Sequence, residues 1–134
     1  MKRIGKLLIK NTSNDTYLLL NRTDHPRYGA DPDLPGGTHE VGETIEETVV
    51  REVQEEIGVA VEKESILLMY SGTDYSPSGN EYNLFYAELD NSPKVVLDWE
   101  HSRYRWCDKV QIMKESRSAL DPYMHMVADT LKTL

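Results

Sequence analysis

The sequence has one cysteine, one phenylalanine and no long apolar run. With Cys107 alone no internal disulfide forms, so the chain is expected in a reducing compartment, the cytoplasm. Its longest apolar stretches, such as residues 17–20 and 66–69, are far too short to span a bilayer. The basic start, Met1-Lys2-Arg3-Ile4-Gly5-Lys6, is followed by only three apolar residues before Lys10, too few for an export signal. Repeats, low-complexity tracts and Pro/Gly/Ser linkers are missing, which argues against an array or a tethered pair of domains. Positive charge is also scarce: 15 Lys and Arg stand against 23 Asp and Glu, for a net charge of −8. Such a surface disfavours nonspecific binding to nucleic-acid polymers and anionic membranes. It does not exclude a small anionic ligand at a site whose local charge opposes the net.

What is present fits one globular domain over residues 1–134. Residues 3–10 and 16–21 read as strands joined by the polar turn Asn11-Thr12-Ser13-Asn14-Asp15, a hairpin. Residues 22–37 hold three prolines and the pair Gly36-Gly37, so they read as loop with a short strand at Leu34. Residues 44–57 read as a helix with Gly58 as its C-terminal cap. Residues 59–73 are expected to be mostly strand, interrupted at 62–65. A loop at 74–80 precedes strands at 81–89, 95–97 and 104–106. A closing helix is expected over 122–131, with Asp121 as N-cap and Pro122 in its first position. Strands and helices mix without regular alternation. The expected fold class is therefore α/β of the α+β kind, a mixed sheet sandwiched between helices.

Glutamates crowd between Glu40 and Glu64. In the helix, Val49, Val50, Val53 and Ile57 fall on one apolar arc. Glu52, Glu55 and Glu56, spaced i, i+3, i+4, share the neighbouring arc. Three like charges there repel one another, and they sit in the half of the helix where the dipole disfavours anions. A solvated helix face explains them blandly. A bound divalent cation would relieve both penalties, because clustered carboxylates are the oxygen donors hard ions prefer. Gly36-Gly37, just ahead of the helix, allows close backbone approach.

The stretch GGTHEVGETIEETVVREVQEEIGV resembles the signature of the MutT/Nudix hydrolase family. The defined positions of that pattern are Gly37, Glu43, Arg51, Glu52, Val53, Glu55, Glu56, Gly58 and Val59, and every one matches. The resemblance implies a Nudix fold and a hydrolase of diphosphate linkages that depends on Mg2+, with Mn2+ as a substitute. It implies metal ligands at Gly37, Glu52, Glu55 and Glu56, with Arg51 and Glu43 orienting the glutamates. Helix capping and surface pairing are the plain alternative for Glu43 and Arg51. Glu100, ahead of Tyr104-Arg105-Trp106, resembles a later glutamate that serves some members as a further ligand or general base; otherwise it is an ordinary loop acid. His101 reads as structural. Arg22 and Arg27, with His25 between them, form a basic stretch suited to substrate phosphate, unless Arg22 pairs with Asp24 or Asp31. Asp121 is a candidate reader of a base edge, beside its role as a cap. Thr38 departs from the lysine that several relatives carry there, which removes a lysine-assisted step. Cys107 and most of the tyrosines read as packing.

The leading expectation is a nucleoside-triphosphate pyrophosphohydrolase that releases a monophosphate and diphosphate. Derivatives of nucleoside diphosphates, ADP-ribose-like molecules or dinucleoside polyphosphates, are the second class. A noncatalytic nucleotide sensor is the third, disfavoured because all signature glutamates are kept. The expected partner is thus a small nucleotide-like diphosphate, not a nucleic-acid polymer or a membrane, and a homodimer is left open.

Overall fold

The computed structural model describes residues 1–134. Strand β1 (Arg3–Asn11) and β2 (Thr16–Arg22) form the expected antiparallel hairpin, with Asn11 opposite Thr16. Two short strands follow, β3 (Pro32–Asp33) and β4 (Gly36–Thr38), then helix α1 (Ile45–Ile57). A 3-10 turn at Lys63–Ser65 leads to β5 (Leu67–Gly72), β6 (Glu81–Leu89) and β7 (His101–Cys107). Helices α2 (Lys109–Ser118) and α3 (Tyr123–Leu131) close the chain. The sheet has seven strands. Its main path runs β3-β2-β1-β6-β5, with β4 paired to β1 and β7 to β2.

Strand β1 is central and buried on both faces, and successive side chains feed different cores. Leu7 and Ile9 pack with Val49, Val53 and Ile57 of α1. Leu8, between them, packs with Ile112, Tyr123, Met124 and Val127 from α2 and α3. The sheet is therefore mixed and lies between α1 on one face and α2 with α3 on the other. The parallel pairing of β1 with β6 makes it mixed, running from Arg3 opposite Glu81 to Asn11 opposite Leu89.

Several elements differ from the sequence reading, each for a physical reason. Leu34 is not in a strand. It is buried, and its N–H donates to the Tyr123 hydroxyl (3.0 Å), while pairing with β2 stops one residue earlier at Asp33. Val59 turns into the α1 core without strand pairing, so the strand expected from residue 59 begins only at Leu67. Residues 95–97 are also not a strand. Val95 is buried, and the N–H groups of Val96 and Asp98 donate to the carbonyls of Ile57 and Glu56 (both 2.9 Å), serving the end of α1 instead of a sheet. Strand β7 is longer than residues 104–106. Helix α3 starts at Tyr123, one residue late, because Pro122 stands at the cap; Asp121 Oδ1 still accepts from Tyr123 N–H (3.3 Å). Helix α2 is an addition. Asp108 caps it through Gln111 N–H (2.8 Å), but of its ten residues only Ile112 and Ser116 are buried, so its apolar stripe is faint.

Candidate active site

Helix α1 is set by its ends. Thr44 accepts from Glu47 N–H and Glu47 returns a bond to Thr44 N–H, a capping box. At the other end Gly58 takes a left-handed conformation, φ 68°, and its N–H donates to Gln54. The apolar stripe of Val49, Val53 and Ile57 fixes the rotation of the helix. That rotation turns Glu52 and Glu56 toward β4.

There the glycine pair meets the carboxylates. Gly36 N–H donates to Glu56 Oε1 (2.8 Å). Gly36 has φ 143°, and a Cβ on it would lie 2.0 Å from the Gly5 carbonyl oxygen, so only glycine fits. A Cβ on Gly37 would lie 2.4 Å from Glu52 Cδ. The second glycine is thus the space in which the Glu52 carboxylate rests.

Arg51 organises the exposed side of the helix. Its guanidinium grips both oxygens of Glu43 (2.9 and 3.1 Å), and it also reaches Glu52 (2.8 Å) and Glu55 (3.3 Å). Arg51 first, and the Thr48 hydroxyl second, hold the Glu43 carboxyl down at about 2. Glu56 behaves oppositely. Burial pushes it up to about 7, against the pull of Lys6 and the Gly36 N–H. Burial also raises Glu52, with Arg51 opposing. Glu56 Oε2 and Glu52 Oε2 accept no hydrogen bond from the protein. Two desolvated carboxylates with oxygens left over, packed on a glycine pair, are a donor set that fits a divalent cation.

An open cleft of about 1060 Å³ runs past this wall. Gly36, Gly37, Glu52, Glu56 and Glu100 are among the residues that line it. Lys2, Lys6, Arg22 and Arg27 also line it and bring positive charge to a chain that is acidic elsewhere. Tyr82 stacks on Tyr123 along the same cleft, with centroids 4.9 Å apart and planes within 6°. Of the candidate residues, the structure thus brings Gly37, Glu52, Glu56, Glu100, Arg22, Arg27 and Asp121 to one cleft. Glu43, Arg51 and Glu55 stand behind the wall. Glu55 points outward, with its side chain 57% exposed and Arg51 as its ion-pair partner.

Arg22 pairs with neither Asp24 nor Asp31. It donates to Asp121 Oδ2 (3.0 Å) and lies 3.6 Å from Asp33, while its buried Nε has no partner. Asp33 is the hub of a buried network that the sequence did not disclose. It accepts from Lys6 Nζ (3.1 Å), His101 Nε2 (3.0 Å) and the Tyr123 hydroxyl. Burial alone would raise its pKa, but Lys6, His101 and Arg22 together hold it well below the usual carboxylate range. Burial lowers His101, and its two carboxylate neighbours, Asp33 and Asp98, more than reverse this. Glu56, Asp98 and His101 bring their donor atoms within 4.8 Å of one another. Both ring nitrogens of His101 are already engaged by Asp33 and Asp98, so the ring is a cross-link within this group. One signal for the hub was available: Lys6 is in phase with buried Leu8 on β1, where a lysine needs a partner.

The fold has known counterparts. A profile for the NUDIX domain matches residues 2–126, and the chain belongs to that family. It is 34% identical to the ADP-ribose pyrophosphatase of Methanocaldococcus jannaschii, over 65% of this chain and 63% of that protein. The chain therefore spans just under two thirds of this relative's length. Among solved structures, the MutT protein of Methanosarcina mazei superposes with a TM-score of 0.71 at 24% identity, covering 98% of this chain and 91% of that one. A bifunctional NMN adenylyltransferase/ADP ribose pyrophosphatase of Francisella tularensis gives 0.76 at 20% identity, over 98% of this chain and 41% of that one. These two show the fold. No helix of the chain is long and apolar enough to cross a membrane.

Proposed function

We propose that this chain is a Nudix hydrolase that cleaves the diphosphate linkage of a small nucleotide. Nucleoside triphosphates are the leading substrates, split by water into a monophosphate and diphosphate. The observation that carries the reading is the pair of carboxylates, buried Glu56 and half-buried Glu52, seated on Gly36-Gly37 in the same cleft as Lys2, Arg22 and Arg27. Glu52 and Glu56 hold a divalent cation, Mg2+ or Mn2+, with Gly37 and Glu100 as further donors; Glu55, turned outward onto Arg51, joins them only on leaving that ion pair. When bound there, the ion supplies charge neutralisation at the phosphates and acidifies a water. Arg51 keeps Glu52 oriented, and Glu43 keeps Arg51 in place. Arg22 and Arg27 draw the phosphate chain into the cleft. Glu100 has no hydrogen-bond partner for its carboxylate, which leaves it free to accept the proton of the attacking water. Asp121 reads the polar edge of the base only through the oxygens that Arg22 and Tyr123 N–H leave available.

A second substrate class, ADP-ribose-like derivatives, is favoured by the name of the archaeal relative. Product analysis on deoxynucleoside triphosphates, ADP-ribose and diadenosine tetraphosphate, with Mg2+, with Mn2+ and with chelator, separates the readings. Monophosphate and diphosphate from a triphosphate support the first. AMP and ribose phosphate from ADP-ribose support the second. No turnover of any of these with either metal removes the enzymatic reading.

A further inference from the structure

The segment from Asp98 to Ser102, which carries Glu100 to the cleft, is tied down at nearly every residue. Asp98 N–H donates to the Glu56 carbonyl (2.9 Å), under the last turn of α1. The carbonyls of Trp99 and Glu100 accept from the Thr23 hydroxyl (2.8 Å) and the Thr23 N–H (2.9 Å). The Ser102 hydroxyl donates to the Arg22 carbonyl (3.4 Å). Among these ties His101 alone reaches across the fold with its side chain, which is 1% exposed. Its Nδ1 lies 3.1 Å from Asp98 Oδ1 and its Nε2 3.0 Å from Asp33 Oδ2. Asp33 ends the strand that leads through Leu34 and Pro35 to Gly36-Gly37. One imidazole therefore joins the approach to the glycine pair to the loop of Glu100, and Asp98 N–H ties that loop in turn to the end of the glutamate helix.

We infer that His101 is a positioning residue that holds Glu100 at a fixed place in the cleft that Glu52 and Glu56 also line. The inference rests on the proposed reading in which Glu100 acts in the cleft. Two points favour a positioning role over plain core packing. The ring belongs to the residue that directly follows Glu100, whose free carboxylate enters the cleft. Both its nitrogens bond acidic side chains from segments that border the cleft. Its partner Asp33 takes Lys6 and Tyr123 on Oδ1, whereas Oδ2 is met by His101 alone, so the same ring also satisfies a buried carboxylate. A carboxylate delivered by a loop is effective only if its support is rigid, and removing such a support typically costs tenfold to a hundredfold in metal affinity or activity.

The test is a double-mutant cycle of His101→Gln and Glu100→Gln, with three measurements on each protein. They are Mn2+ affinity without substrate, kcat and KM on the best substrate of the panel, and amide exchange of residues 98–102. Glutamine keeps one donor but cannot span Asp33 and Asp98. His101→Gln is expected to lower the same parameter that Glu100→Gln lowers, Mn2+ affinity or kcat, by about tenfold. KM is expected to stay within about twofold. In the Glu100→Gln background the added loss is expected to be under about twofold, since the lost contact acts through a group already removed. Amide exchange in the segment is expected to quicken about tenfold with His101→Gln and to stay unchanged with Glu100→Gln. Equal losses from His101→Gln in both backgrounds overturn the inference, as does unchanged exchange. A Glu100→Gln protein with normal kcat and normal Mn2+ affinity overturns the reading of Glu100 itself. Asp98→Asn provides a second arm that leaves the buried Asp33 contact alone. It is expected to show the same non-additivity at smaller amplitude, and additive losses there count against the inference equally.

Discussion

Glu56 bears the sharpest conflict of any side chain in the molecule: it is nearly buried, acidic and given a single donor, the Gly36 N–H. Stability alone does not explain such a residue, so changing it separates function from folding. Glu56→Gln is expected to lower kcat by at least about a hundredfold. Melting of the metal-free protein is expected to be no lower than in the parent, because a desolvated charge has been removed. Parent-like turnover in a folded variant would take Glu56 out of the site. Gly37→Ala tests the neighbouring contact. The added methyl must displace the Glu52 carboxylate, which occupies its space. Mn2+ affinity, read by titration, is expected to fall about tenfold, and an unchanged affinity would mean that Glu52 holds no ion. The sequence disclosed these residues because they lie within one helix and the loop before it, where spacing translates directly into position. Asp33, Lys6 and His101 stayed hidden, since they come from three different strands and meet only through sheet pairing. Arg22 illustrates the same limit: its nearby acids, Asp24 and Asp31, were passed over for Asp121, 99 residues away.

Elements were legible where a local signal was strong. The apolar stripe of α1 and the glycine that ends it are contained in one short stretch, and the helix expected over 44–57 is found over Ile45–Ile57 with Gly58 as its cap. Helix α2 escaped because it covers the sheet with little more than Ile112, so its pattern is mostly polar. Val95 and its neighbours misled for another reason. Their apolar character is real, but their backbone is spent on the carbonyls at the end of α1. The same junction makes Gly58 sensitive. Replacing it with alanine puts a side chain at φ 68°, and the chain is expected to lose about 1 kcal/mol or more of stability. A denaturation midpoint unchanged from the parent would show that the helix end relaxes freely. If it does not relax, the Val96 and Asp98 contacts pass the disturbance to the loop of Glu100, so activity is expected to fall along with stability.

For the whole molecule, acidity and burial make stability depend on pH in a definite direction. The Glu56 pKa rises from 4.5 unfolded to about 7 folded, so the folded chain holds a proton that the unfolded chain releases. That contribution is complete below about pH 4.5 and is lost as pH rises through about 7. His101, raised above 6.5, acts in the same sense at the upper part of this window. In chelator, the melting temperature is therefore expected to fall by several degrees between about pH 5.5 and about pH 8. Mg2+ or Mn2+ is expected to flatten the slope by binding the ionised form. A level profile in chelator would contradict the burial of Glu56. Activity itself is expected to vanish on exhaustive chelation and return with added metal; turnover that survives would remove the carboxylate wall from the reaction.

The parallel pairing of β1 with β6 has one more consequence, which concerns the order of events during synthesis. Strand β1 leaves the ribosome before the other strands of the sheet, yet its partner along its whole length ends at Leu89. Until then the central strand has only the short β2 contact and β4 to hold it, and its Leu7-Leu8-Ile9 run lacks one side of each core. Closing a loop of that span must precede the stabilising contacts, which slows the search and leaves an apolar strand uncovered meanwhile. Nascent chains released before residue 89 are expected to be protease-sensitive and to bind holding chaperones, with protection appearing only once β6 is complete. Protection of a chain ending before Glu81 would show instead that the hairpin and α1 fold as an independent unit.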